Sequence, residues 1–174
     1  MIVILSIILI LVAFLLLLVI LIAIFFTIDA FLDLPYVATK KEKIETIIKL
    51  ANIKKRETIV DLGSGDGRLL FAAAEKGARA IGYEINPFLI ALTLVHAKLK
   101  GVAKRIVIYK QSLWKADLVV ADVIFVYGRA KTMQRFEDFV FKNAQKGTRV
   151  IVNTNQFPNK RPIKSRNGIF LYNC

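Results

Sequence analysis

The sequence has little sulfur and almost no imidazole: one cysteine, Cys174 at the last position, and one histidine, His96. A single thiol excludes a disulfide framework and a thiolate metal cluster, and Cys174 reads as an ordinary terminal thiol. A single imidazole removes His-rich metal sites and leaves no histidine pair for acid–base work. His96 sits among Leu94, Val95 and Ala97 on a predicted helix, where packing or surface exposure is the default. No metal site is expected. Acidic residues are also scarce, 13 against 26 Lys and Arg, for a formal net charge of +13. The length of 174 residues allows one folded domain and no more.

Charge is missing altogether from residues 1–28, where Ser6 and Thr27 are the only clearly polar side chains. As a helix this run spans about 42 Å, more than the ~30 Å hydrocarbon core of a bilayer requires. A cleavable leader needs a basic start, a shorter apolar core and a small-x-small cleavage site, and none is present. The segment is therefore predicted to be a transmembrane helix. No Lys or Arg precedes it, while Lys40, Lys41 and Lys43 follow closely. The positive-inside rule then expects a single-pass membrane protein with its folded domain on the cytoplasmic side, or the matrix side in a mitochondrion. The absence of an Arg- and Ser-rich leader favours a prokaryotic plasma membrane.

The expected organisation is an anchor over 1–28, a linker over 29–39 and a folded domain over 40–174. Pro35 should end any helix before it. Thr39, with Glu42 three residues on, reads as a capping box opening a helix over 40–51. Ile44, Ile47, Ile48 and Ala51 give that helix one apolar face, with Lys40, Lys41 and Lys43 opposite, solvated or against anionic lipid headgroups.

The domain is organised around Ile59-Val-Asp61-Leu-Gly63-Ser64-Gly65-Asp66-Gly67-Arg68. A β-branched run delivers an acid, then three alternate glycines, then an alanine-rich helical stretch. Glycines permit positive φ and close backbone approach, as a strand-to-helix turn around a ligand requires. The pattern D-x-G-x-G-x-G is neither the dinucleotide G-x-G-x-x-G nor a P-loop. Strands follow over 79–84, 105–109, 119–127, 148–153 and 168–172, alternating with helices over 68–76, 87–100 and 130–144. Asn86-Pro87 opens the second of these as N-cap and first helical residue. Met133, Phe136 and Val140 face inward on the third. Alternation of this kind means an α/β fold with a mainly parallel sheet and ligands at the carboxyl ends of its strands. Glu84 lies close to the ~20-residue offset at which an acid ending the second strand takes ribose hydroxyls.

The spacing of the glycine motif resembles motif I of the class I S-adenosylmethionine-dependent methyltransferases. Pro35-Tyr36-Val37-Ala38-Thr39, Gly82-Tyr-Glu-Ile-Asn-Pro87 and Leu113-Trp114-Lys115 narrow the likeness. In order and spacing they resemble the small membrane-anchored protein-lysine methyltransferases whose mitochondrial members modify the adenine nucleotide translocase and the ATP synthase c-ring protein. The resemblance covers roughly residues 33–174. It implies a Rossmann-like sheet, S-adenosylmethionine as donor with S-adenosylhomocysteine as product, and a protein substrate at the membrane. Carried over by position, it assigns donor binding to Tyr36, Thr39, Asp61, Gly63, Ser64, Gly65, Asp66, Gly67, Glu84, Ile85, Asn86, Ser112 and Leu113. Ser112 stands where the family carries Asp, and Ala38 breaks its Pro-Tyr-Val-Pro pattern.

An acceptor lysine must lose a proton against an ordinary pKa of about 10.4. Polar groups expected at the rim are Asp122 and Tyr127 on the fourth strand and Asn153 or Asn155 at the end of the fifth. A nucleic-acid methyltransferase is the rival reading, since the positive charge suits phosphates. Val126-Tyr127-Gly128 lacks the Asn/Asp-Pro-Pro-aromatic signature used on base amines, which disfavours it. A nicotinamide oxidoreductase fails on the glycine spacing. A non-catalytic anchored cofactor-binding module is the remaining alternative.

Overall fold

The computed structural model describes residues 2–31 and 38–174, so Tyr36 and most of the expected linker lie outside the described residues. The chain divides into two units. The first contains helix α1 (Ile2–Phe31), within which Val3–Ile24 is long and apolar enough to cross a membrane.

The second unit opens with α2 (Lys41–Ala51), followed by β1 (Thr58–Leu62), α3 (Arg68–Glu75), β2 (Arg79–Glu84), α4 (Pro87–Leu99) and β3 (Ile106–Lys110). Then come β4 (Val123–Tyr127), α5 (Met133–Asn143), β5 (Arg149–Asn153), β6 (Lys164–Arg166) and β7 (Ile169–Asn173). These strands form one sheet in the order β3-β2-β1-β4-β5-β7-β6. Strands β1 to β5 are parallel, while β7 runs antiparallel to both β5 and β6. The order reverses between β1 and β4, so the carboxyl ends of those two strands flank a switch point, the place where doubly wound sheets bind ligands. The α/β expectation with a mainly parallel sheet therefore holds.

Burial explains the pairing. Ile59, Val60, Val123, Ile124, Val150 and Val152 are fully buried, as expected of central strands covered on both faces. On α2 the predicted apolar face is the buried one: Ile47 and Ala51 are in the core, with Ile44 and Ile48 packed against it. Met133, Phe136 and Val140 of α5 are buried likewise.

Four expectations require correction. Thr39 does not cap α2: Lys40 holds the cap position without a side-chain cap bond among the described residues, and the Thr39 carbonyl instead accepts from Arg68 Nη1 at 2.6 Å. Nor does Lys43 lie on a solvated face, since its ammonium donates to Asn153 Oδ1 at 3.1 Å and Thr154 Oγ1 at 2.8 Å. Strand β4 begins at Val123 rather than 119. Asp117 Oδ1 accepts from Val119 N at 3.0 Å, and this local turn leaves Val119 and Val120 exposed. Finally, the expected last strand is the second arm of a hairpin whose first arm, β6, is short, charged and exposed, as edge strands commonly are. Asn167 (φ 51°) and Gly168 (φ 70°) make its two-residue turn, both with the positive φ that the favoured hairpin turn demands.

Gly82 in β2 shows how tightly the sheet meets the glycine turn. A Cβ there would lie 2.5 Å from Ser64 Oγ and 2.8 Å from Leu70 Cδ1. Gly82→Ala should therefore cost about 1–3 kcal/mol through overpacking. Urea denaturation checks this: the midpoint should fall with the slope unchanged.

Candidate functional site

The carboxyl ends of β1, β2 and β3 meet at the glycine turn. Gly63 (φ 86°), Gly65 (φ 55°) and Gly67 (φ 78°) all lie in the left-handed region, so each alternate glycine is demanded by the backbone itself. The turn is pinned from several sides. Gly63 N and Ser64 N both donate to the Tyr83 carbonyl, at 3.0 and 3.1 Å. Behind it, Thr93 of α4 donates its hydroxyl to the carbonyls of Leu89 (2.9 Å) and Gly65 (3.2 Å). A Cβ on Gly67 would lie 2.3 Å from Thr93 Cγ2, so glycine is needed there for space as well.

Glu84, at the end of β2, is 8% exposed and joins the two strand exits. Its Oε2 accepts from Gly65 N at 2.9 Å, while Oε1 accepts from Ile85 N and Asn86 N, both at 2.8 Å. A carboxylate has about four lone-pair positions, so three backbone bonds leave one place, on Oε2, for a further donor. Ile85 beside it is apolar yet 40% exposed, a flat surface available to a ring. Asn86 caps α4 as expected, its Oδ1 accepting from Phe88 N at 3.0 Å. Ser112 and Leu113 follow β3, and Leu113 Cδ2 stands 3.6 Å from where a Gly63 Cβ would be, which places it against the glycine turn.

Asp61 is wholly enclosed at the end of β1. Burial, and after it the carboxylates of Glu84 and Asp66, push its pKa up from 3.8 to about 7. Asp66 pairs with Arg68, whose guanidinium also holds the Thr39 carbonyl. Thus Thr39, Asp61, Gly63, Ser64, Gly65, Asp66, Gly67, Glu84, Ile85, Asn86, Ser112 and Leu113 all fall around one opening. Among the described residues, the buried atoms Ser64 Oγ and Asn86 Nδ2 find no hydrogen-bond partner. An acid-rimmed turn with orphaned polar atoms, an acceptor position on Glu84 and an apolar platform fits a ligand that combines a cation, a ribose and a flat ring.

The rim candidates separate. Tyr127 ends β4 directly opposite Asn153 of β5, so both stand at the carboxyl edge. Asn153 is buried and its Oδ1 already accepts from Lys43 and from Thr154 Oγ1 (2.9 Å). Asp122 does not belong with them. It precedes β4, its Oδ2 accepts from Thr58 N at 2.7 Å, and it therefore sits at the amino edge of the sheet, away from the glycine turn. The expected strand started too early, which misplaced it.

Three contributors escaped the sequence reading. Lys43, Thr93 and Trp114 bind the site together, Trp114 by stacking on Phe136 (4.6 Å between centroids) with the Arg135 guanidinium 3.9 Å from its ring. Only the Leu-Trp pair left a trace in sequence; a helical threonine and a helical lysine carry no signal of their tertiary partners.

A family model described as the ANTKMT methyltransferase domain matches residues 61–164. The chain belongs to the ANTKMT methyltransferase family. The human lysine N-methyltransferase of the ATP synthase c-ring protein is 33% identical over 129 residues, 74% of this chain and 55% of that protein. Mouse adenine nucleotide translocase lysine N-methyltransferase is 32% identical over 133 residues, 76% of this chain and 58% of that protein. The chain thus spans about half the length of these curated relatives. Among solved structures, an RNA methyltransferase from Salinibacter ruber in complex with S-adenosyl-L-homocysteine superposes with a TM-score of 0.74 at 29% identity. It covers 79% of this chain and 93% of its own. The family's fold is the Rossmann-like one described above.

The raised pKa of Asp61 has a measurable sign. A folded-state value above the unfolded one means that stability is fully present below about pH 4 and is lost as pH rises to about 7. About three units correspond to at most ~4 kcal/mol. Asp61→Asn should remove that slope, so that the difference in unfolding free energy between variant and wild type grows from pH 4 to 7 in favour of the variant.

Proposed function

We propose that this protein transfers a methyl group from S-adenosylmethionine to a lysine side chain of a membrane or membrane-associated protein. The observation that carries the reading is Glu84, held by three backbone amides beside the glycine turn with one acceptor position left. The donor would be held by Glu84 at its ribose, by Ile85 and Leu113 at its ring, and by Asp61 with the glycine turn at its methionine end. Asp61 would ionise on meeting the donor's ammonium. Bound there, the donor supplies a sulfonium methyl that is already activated, so the protein's task is alignment and exclusion of water. Ser112 offers a neutral acceptor in place of the family's Asp. Tyr127, at the carboxyl edge, is the polar group proposed to meet the incoming amine.

The lysine acceptor is supported by the names of the human and mouse relatives. RNA is the second reading, supported by the Salinibacter neighbour's description and by the net charge of +13. Val126-Tyr127-Gly128, without the base-amine signature, counts against it. The helix Val3–Ile24 is proposed to be a single-pass anchor with the catalytic unit on the cytoplasmic side, on the strength of Lys40, Lys41 and Lys43.

Titration of S-adenosylmethionine and S-adenosylhomocysteine into the detergent-solubilised chain should show micromolar binding that weakens at least tenfold in Glu84→Ala. A folded protein that binds neither would overturn the enzyme reading. Tritium from the labelled donor should appear in lysine of membrane-protein extracts and not in RNA. For topology, protease added to intact cells should spare the folded unit, whereas protease added to inverted vesicles should digest it.

A further inference from the structure

Beside the donor cradle lies a second opening of about 500 Å³, walled on one side by Ala130, Met133 and Gln134 and on the other by Thr154, Asn155 and Gln156. These walls are the loops leaving β4 and β5, so the cleft opens at the same edge of the sheet as the glycine turn. Its walls are fastened to neighbouring elements. Asn155 Nδ2 donates to the Gly128 carbonyl at 2.8 Å, joining the β5 exit to the β4 exit. On the other side Lys43 of α2 holds Asn153 and Thr154. Thr154 has φ 74°, a costly conformation for a β-branched residue. Its partners keep it there: its N–H donates to the Gly168 carbonyl at 2.8 Å and its hydroxyl is engaged by Lys43 and Asn153.

The chemistry of these walls is specific. Among the described residues, none that lines the cleft is charged. The carboxylates closest to the walls along α5 are occupied, Asp138 by Gln134 Nε2 (2.9 Å) and Glu137 by Asn159 N (2.9 Å). The charges next to it are positive: the Lys43 ammonium on Thr154, and Arg129 and Lys131 on either side of Ala130 in the chain. Around Lys43, the charged groups of the packed elements are Lys41, Glu42, Glu45 and Lys49 of α2 and Arg166 of β6, which line a separate opening. A neutral pocket with a cationic wall disfavours an ammonium and favours a free amine, because like charge and desolvation both oppose protonation of a lysine.

We infer that this cleft receives the acceptor lysine, and that Lys43 is a positioning residue that shapes the wall and holds the entering amine in its uncharged form. The inference rests on the lysine-methylation reading above and names the acceptor's place within it. The proton leaves the substrate to solvent before entry, which is why the site needs no dedicated base.

The test measures tritium transfer from labelled S-adenosylmethionine to poly-L-lysine and to membrane-protein extract, using the full chain in detergent, from pH 6.5 to 10. Gln134→Trp, which fills the cleft, should raise the acceptor KM at least tenfold while S-adenosylhomocysteine affinity stays within twofold. Lys43→Met should move the acid limb of kcat/KM upward by about half to one pH unit, a threefold to tenfold loss at pH 7.5 that vanishes at high pH. Lys43→Arg should restore the limb. An unchanged KM in Gln134→Trp, or a loss in Lys43→Met that is uniform across pH, overturns the inference and leaves lysine methylation standing. A wild-type chain that binds S-adenosylhomocysteine yet labels neither acceptor overturns the lysine reading and this inference together.

Discussion

The carboxylate of Glu84 ties the domain's two most important strand exits into one object. Its three bonds, to the amides of Gly65, Ile85 and Asn86, join the glycine turn after β1 to the start of the helix after β2. Bonds from backbone amides to a carboxylate are stronger than neutral ones, and these are shielded from water. An acid buried to this degree needs such partners, and the amides of a turn with three positive-φ glycines need an acceptor that reaches them. Each half solves the other's problem. The opening that results is polar, rigid and preformed.

The second constraint comes from crowding. Glycine at 82 lets Ser64 and Leu70 lie against β2, and glycine at 67 admits Thr93. Glycine at 128, where a Cβ would be 2.6 Å from Phe136, lets α5 sit over the β4 exit. Phe136 in turn carries Trp114, whose neighbour Leu113 lies against the glycine turn. The Leu113-Trp114 pair thus connects the glycine turn to the β4 exit, one side chain on each. Such contacts account for the presence of the motif without giving either residue a chemical step.

Much of this was legible in the sequence. The order of strands and helices, the inward faces of α2 and α5, and the N-cap at Asn86 follow from periodicity and local chemistry. So does the acid at Glu84, because its place depends on a fixed offset from a glycine turn. The misreadings share one cause. Val119 and Val120 looked like strand, but the Asp117 side chain offered a turn at closer range. Thr39 and Glu42 formed a capping pattern, but the Thr39 carbonyl was drawn to Arg68, 29 residues away. The hairpin of β6 and β7 carried its signal in Asn167-Gly168, yet its first arm has no apolar alternation because both its faces are exposed.

By itself the sequence determined the class of fold, the glycine turn, the acid that faces it and the apolar N-terminal segment, all features written in local spacing. Tertiary structure alone decided which polar groups share the carboxyl edge of the sheet. It moved Asp122 to the opposite end, brought Lys43 to Asn153 across 110 residues, and raised Asp61 by enclosing it with two other carboxylates. The reason is physical: spacing along a chain encodes which face a residue takes, but the distance between charges and their removal from water exist only once the strands have paired.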